Sequence, residues 1–175
     1  MNNRILKFTL VLGTILLSTT GIKAQEQSAS PAATTAGKVG GANVTITYSS
    51  PSVKGRQIWG GLVPYDKAWR AGANKATVLM TDKDIQLEGQ TLKAGSYSLF
   101  AVPGQQEWKV ILNSETGQWG IKRGGEANRD PAKDVMTLTV KPEKNAMTEK
   151  LTYEVANDAI ILKWENLQVP IKAKG

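Results

Sequence analysis

The sequence predicts an all-β protein, an antiparallel β-sandwich of jelly-roll type with one long ordered loop that contains a short helical turn. Three observations carry this expectation. Apolar and polar residues alternate in short runs, as in Met136, Leu138 and Val140 against Thr137 and Thr139, which is the period of a half-buried strand. Turn residues separate these runs at intervals of roughly 8 to 12 residues, the spacing found in sandwiches and barrels. Beyond the N-terminal segment no run of ten or more residues keeps a helical period, and no repeat of propeller or solenoid type is visible.

At the N-terminus, Arg4 and Lys7 precede an apolar run over residues 8–17, and small and polar residues lead to an Ala24-Gln25 junction. This is the pattern of a secretory signal peptide over residues 1–24. The run falls short of the ~20 residues that cross a bilayer, so no stable membrane span is expected after cleavage. Residues 25–41 are rich in Ser, Ala, Thr, Gly and Gln and read as a disordered linker with little to bury. A single β-sandwich domain is then expected over residues 42–173.

Val44, Ile46 and Tyr48 open that domain with a strand. A short apolar strand follows over residues 76–81, and Ile85 with Leu87 forms the next, ending in a Glu88-Gly89-Gln90 turn. Tyr97, Leu99 and Ala101 share one face of a strand that stops at Pro103-Gly104, and Trp108, Val110 and Leu112 alternate in its neighbour. After a second irregular region over residues 118–133, four alternating runs close the chain: Met136 to Val140, then Leu151, Tyr153 and Val155, then Ile160, Leu162 and Trp164, then Leu167, Val169 and Ile171. Glu165-Asn166, between the last two, reads as either a turn or a bulge.

Composition narrows the chemistry. The 175 residues include no Cys and no His, which removes Cys and His zinc sites, Ser-His-Asp and Cys-His nucleophiles, and histidine acid-base catalysis. A secreted chain without Cys must also fold on its core alone. Asp82, Asp84 and Glu88 lack the glycine and acid positions of a calcium loop, so no metal and no cofactor is expected. The net charge of +7 falls by three when Arg4, Lys7 and Lys23 leave with the signal segment, and no stripe of Lys and Arg remains. Nucleic acid is therefore not an expected partner.

Residues 48–77, YSSPSVKGRQIWGGLVPYDKAWRAGANKAT, concentrate the side chains of chemical interest. Residues 66–70, just after Pro64, are the expected helical turn. Arg56 and Arg70 are candidate ligand residues, because a guanidinium grips carboxylate or phosphate through two parallel hydrogen bonds. Trp59, Tyr65 and Trp69 offer apolar ring faces with polar edges for a sugar or another planar group. Asn74 completes the set, as a ligand-orienting amide. Each has a plainer role open to it. The arginines would order the loop through backbone carbonyls, Trp69 would plug the sandwich, Trp59 is evenly balanced between core and ligand, and Asn74 would close a turn. Asp66 is the loop's one carboxylate, so an acid pair would need Glu126 or Asp130 from the second irregular region.

The run of residues 48–77, followed by LKAGSYSLFAVP, WKVILN, WG, DVMTLTVKPEK and LKWENLQVPI, resembles the DUF2911 family of Bacteroidetes-type bacteria over nearly all of residues 40–171. The resemblance implies a secreted all-β domain without an established activity, found in some longer proteins beside tetratricopeptide repeats. Ser50 and Lys75 depart from the family pattern, which more often has a basic and an acidic residue at those places.

The function expected from these features is a secreted domain, periplasmic or extracellular, that binds an unknown anionic or carbohydrate-like ligand through residues 48–77 without catalysis. The reading leans away from an enzyme. A domain that docks an envelope protein partner is one alternative, and a carboxylate-based glycan hydrolase is another.

Overall fold

The computed structural model describes residues 29–175. The expected signal peptide, residues 1–24, lies outside the described residues. Two antiparallel sheets account for most of the rest. The larger has six strands: β1 (Ala32–Val39), β2 (Ala42–Ser49), β3 (Thr77–Thr81), β6 (Gly95–Val102), β7 (Trp108–Asn113) and β8 (Asp134–Val140), side by side in that order. The smaller has four, in the order β5 (Gln90–Leu92), β4 (Ile85–Leu87), β10 (Ala159–Lys174) and β9 (Glu143–Val155). Their facing sides share one apolar core. Ile46, Leu79, Leu99 and Leu112 of the large sheet meet Leu151, Leu162, Trp164 and Ile171 of the small one. The period-2 pattern produces this arrangement directly, since alternate side chains of each strand point into the gap.

The expected linker, residues 25–41, contains β1. Its eight residues pair with the whole of β2, from Ala32 opposite Ser49 to Val39 opposite Ala42. Ala33, Thr35, Gly37 and Val39 turn toward the small sheet, where the Thr35 hydroxyl donates to the carbonyl of Tyr153 at 3.1 Å. Gly37 makes the approach possible, because a Cβ there would lie 2.5 Å from the carbonyl oxygen of Val155. Small side chains that resemble a spacer are here the condition for close packing against β9.

The helical turn also differs from expectation. Residues 66–70 hold no helix, whereas a single 3-10 turn, Pro131–Lys133, sits in the second irregular region. Asp66 has a left-handed φ of 60°, and Trp69 and Ala101 exchange backbone hydrogen bonds of 2.7 and 2.8 Å, which draws the chain out along β6. The true turn has its own local signals. The Asp130 side chain accepts from the backbone N–H of Ala132, and Pro131 takes the first helical position.

Glu165-Asn166 is a bulge within one long strand rather than a turn between two. Glu165 is left-handed at φ 53°, and the pairing with β9 shifts on either side of it. The buried positions change from Ile160, Leu162 and Trp164 to Val169, Ile171 and Ala173. The second irregular region folds over the outer face of the large sheet, covering Phe100 and Ile111 with the help of Ala127. Among the described residues no helix is long and apolar enough to cross a membrane.

Candidate functional site

Two loops build the site. The first joins β2 to β3 and is held by backbone contacts along its length. Leu151 donates to Pro51 and Val53 to Glu149, while Asp66 donates to Pro103 and Thr77 to Arg70. Buried side chains fasten its far end, where the hydroxyls of Thr77 and Tyr153 both donate to the carbonyl of Ala71, at 2.9 and 2.8 Å. Burial raises the pKa of Tyr153 far above the ordinary phenol, so the group stays a hydrogen-bond donor. Left-handed backbone at Lys54, Asp66, Ala71 and Asn74 gives the loop its sharp changes of direction.

The second loop lies beside it. Ala76 donates to the carbonyl of Gln118, and Gly120 to that of Asn74, each at 3.2 Å. Buried Asn113 anchors its return through hydrogen bonds of 2.8 Å to the Asp130 carbonyl and to Asp134, and Asp134 in turn pairs with Arg129. Between the loops is a cleft of about 880 Å³, within the range of small-molecule sites. Arg56, Lys67, Arg70 and Arg129 line it with a single carboxylate, Glu126, and half-buried Trp69, backed by the core residue Trp164, supplies its aromatic wall. Those two indoles are stacked, 5.9 Å between centroids and 17° apart.

The six residues singled out in the sequence divide evenly. Arg56, Trp69 and Arg70 line the cleft. Arg56 is exposed and spends part of its fork on its own loop, donating from Nε to Val53 and from Nη2 to Ser52. The indole N–H of Trp69 donates to Gly72, and the ring, stacked on Trp164, is half-buried where it meets the cleft. Arg70 is half-buried. Its stem crosses the second loop at Gly120, where a Cβ would lie 2.3 Å from the arginine Cδ, and burial lowers its pKa. The arginine Nε is buried without an acceptor among the described residues.

Trp59, Tyr65 and Asn74 go elsewhere. Trp59 is 8% exposed and stands edge-on to Trp69, Trp108 and Trp164 at 6.0, 4.8 and 5.7 Å, which makes it the hub of a four-indole cluster in the core. Tyr65 packs its ring over Gly60, where a Cβ would lie 2.8 Å from the tyrosine ring, so the missing side chain admits the contact. Asn74 occupies a left-handed position, and its amide donates to Ser30 and Ser49, which ties the loop to the start of β1. Lys75, which departs from the family pattern, sits at the bridge to Trp119 and outside the cleft.

Sequence reasoning missed Lys67, Arg129 and Trp164 as cleft residues. Nothing local marks Trp164, which alternates in a strand like any core residue and reaches the cleft because β10 runs behind the first loop. Asp66 does not share the cleft with Glu126; it lines a separate hollow of about 500 Å³ with Glu107. Asp130 caps the 3-10 turn. Among the described residues no three metal-ligating side chains gather.

Fold and cleft together define a two-sheet β domain that presents a cationic, tryptophan-walled groove between two interlocked loops. The chain belongs to the DUF2911 family, whose model, described as a protein of unknown function, matches residues 30–173. No curated protein and no solved structure matches it.

Proposed function

We propose that this domain is a non-catalytic binding module of the cell envelope or exterior whose ligand, anionic or carbohydrate-like, lies between the two loops. The observation that carries the reading is the cleft lining, with four cationic side chains against one carboxylate beside a stacked indole pair. Cations near a low-dielectric wall attract and hold an anion, and flat apolar rings match the face of a pyranose. The signal-like N-terminal pattern supports the compartment. The separation of Asp66 from Glu126 speaks against the acid pair expected across the two loops.

Titration of the purified chain with soluble anionic glycans, followed by tryptophan emission, is expected to give a saturable change. The double variant Lys67→Ala with Arg70→Ala removes that change while its melting temperature stays within about 4 °C of the parent, the shift produced by roughly 1 kcal/mol in a domain this size. A double variant that binds like the parent sinks the reading. One that unfolds returns both cations to a structural role.

A further inference from the structure

We infer that the ligand is a saccharide carrying an oxyanion, a carboxylate or a phosphate, and that Arg70 is the residue that seats this group; the inference rests on the binding reading above. Arg70 is the cation least explained by its surroundings. Arg129 has Asp134, and Arg56 donates to two backbone carbonyls, but none of the ion pairs among the described residues includes Arg70. Its Nε is buried with no acceptor there, although nearly all buried donors in folded proteins find one. The methylene stem, held against Gly120, fixes where the guanidinium lies.

The aromatic wall completes the requirement. Trp164 borders the same cleft but is 1% exposed, so it backs the Trp69 ring from the core. Trp69, satisfied by Gly72, contributes apolar surface. A bare inorganic anion would answer Arg70 and leave the exposed part of Trp69 unused. A neutral sugar would cover that ring and leave Arg70 and Lys67 uncompensated. An oxyanion-bearing sugar meets both demands, the oxyanion accepting from the guanidinium fork while the C–H face of the sugar ring lies on the exposed part of Trp69.

Three probes test this by calorimetry on the unmodified chain: trigalacturonate, its methyl ester, and glucose 6-phosphate. The acid is expected to bind at least about tenfold more tightly than the ester, the factor that corresponds to ~1.4 kcal/mol. Arg70→Gln abolishes this preference, and Arg70→Lys, which keeps charge without the planar fork, retains only part of it. Binding of glucose 6-phosphate in preference to the uronate assigns the oxyanion as phosphate. Equal binding of acid and ester overturns the inference while leaving the cleft as a sugar site. Silence of all three probes overturns the inference and the binding reading together. The acid-ester comparison needs no variant, so it stands even where substitution of Arg70 disturbs the loops.

Discussion

Replacing Trp59 separates the two roles that the sequence allowed it. A tryptophan buries ~150 to 250 Å² on folding. At ~25 cal/mol per Å² that burial contributes about 4 to 6 kcal/mol as an upper bound. With 8% exposure, Trp59 realises nearly all of it. Truncation to Ala also empties the centre of the indole cluster, and Trp-to-Ala changes of this kind cost about 3 to 5 kcal/mol. The indole N–H acts in the other direction. It is buried without an acceptor among the described residues, a state that costs ~1 to 3 kcal/mol. Trp59→Phe relieves that cost while giving up part of the ring area, so its net change is expected to lie within about 1 kcal/mol of the parent. Urea denaturation followed by far-UV circular dichroism measures both variants without relying on indole emission. A Trp59→Ala variant that keeps parental stability refutes the hub assignment. So does a Trp59→Phe variant as unstable as the alanine one.

Two further outcomes follow from packing and ionisation. Gly37→Ala places a Cβ against the backbone of Val155, where no flexible side chain can yield, so a loss of about 1 to 3 kcal/mol in urea melts is expected, and parental stability would remove β1 from the packed fold. Tyr153 keeps its proton in the folded state well beyond the pH at which an unfolded tyrosine loses it, about 10. Between those pH values the unfolded chain binds fewer protons at this site, so the contribution of Tyr153 to stability is constant below about pH 10 and falls as pH rises above it. Denaturation curves at pH 8 and pH 11 for the parent and for Tyr153→Phe check this, the variant being expected to lose less across the interval.

Much of the sandwich was legible because large apolar residues recur with period 2. Val44, Ile46 and Tyr48 are read as easily as Met136, Leu138 and Val140, and each set lies on a strand with its apolar face inward. β1 escaped because Ala33, Thr35 and Gly37 are small for a reason that only the neighbouring β9 reveals. The helical turn was misplaced for a related reason. Residues 64–70 carry local helix signals, but the pairing of Trp69 with Ala101 is a contact across the chain.

The candidate site was half legible by the same physics. Composition located the loop, and Arg56, Trp69 and Arg70 do line the cleft. Which way Trp59 turned depended on strands far along the chain, whereas Tyr65 and Asn74 were settled by loop partners. Trp108 and Trp164 draw Trp59 inward, Gly60 receives Tyr65, and Ser30 takes the amide of Asn74. The opposite bank, with Arg129 and Glu126, comes from a loop whose composition suggests only turns.

The bulge at Glu165 behaves like a change of reading frame written into a strand. Upstream of it the even-numbered residues of β10 face the core, and downstream the odd-numbered ones do. An inserted or deleted residue beyond this point would turn Val169, Ile171 and Ala173 toward solvent and their polar neighbours inward, whereas the same event in either loop would be absorbed locally. Length variation in this architecture is therefore expected to collect around the cleft and to be purged from the strand that stands behind it.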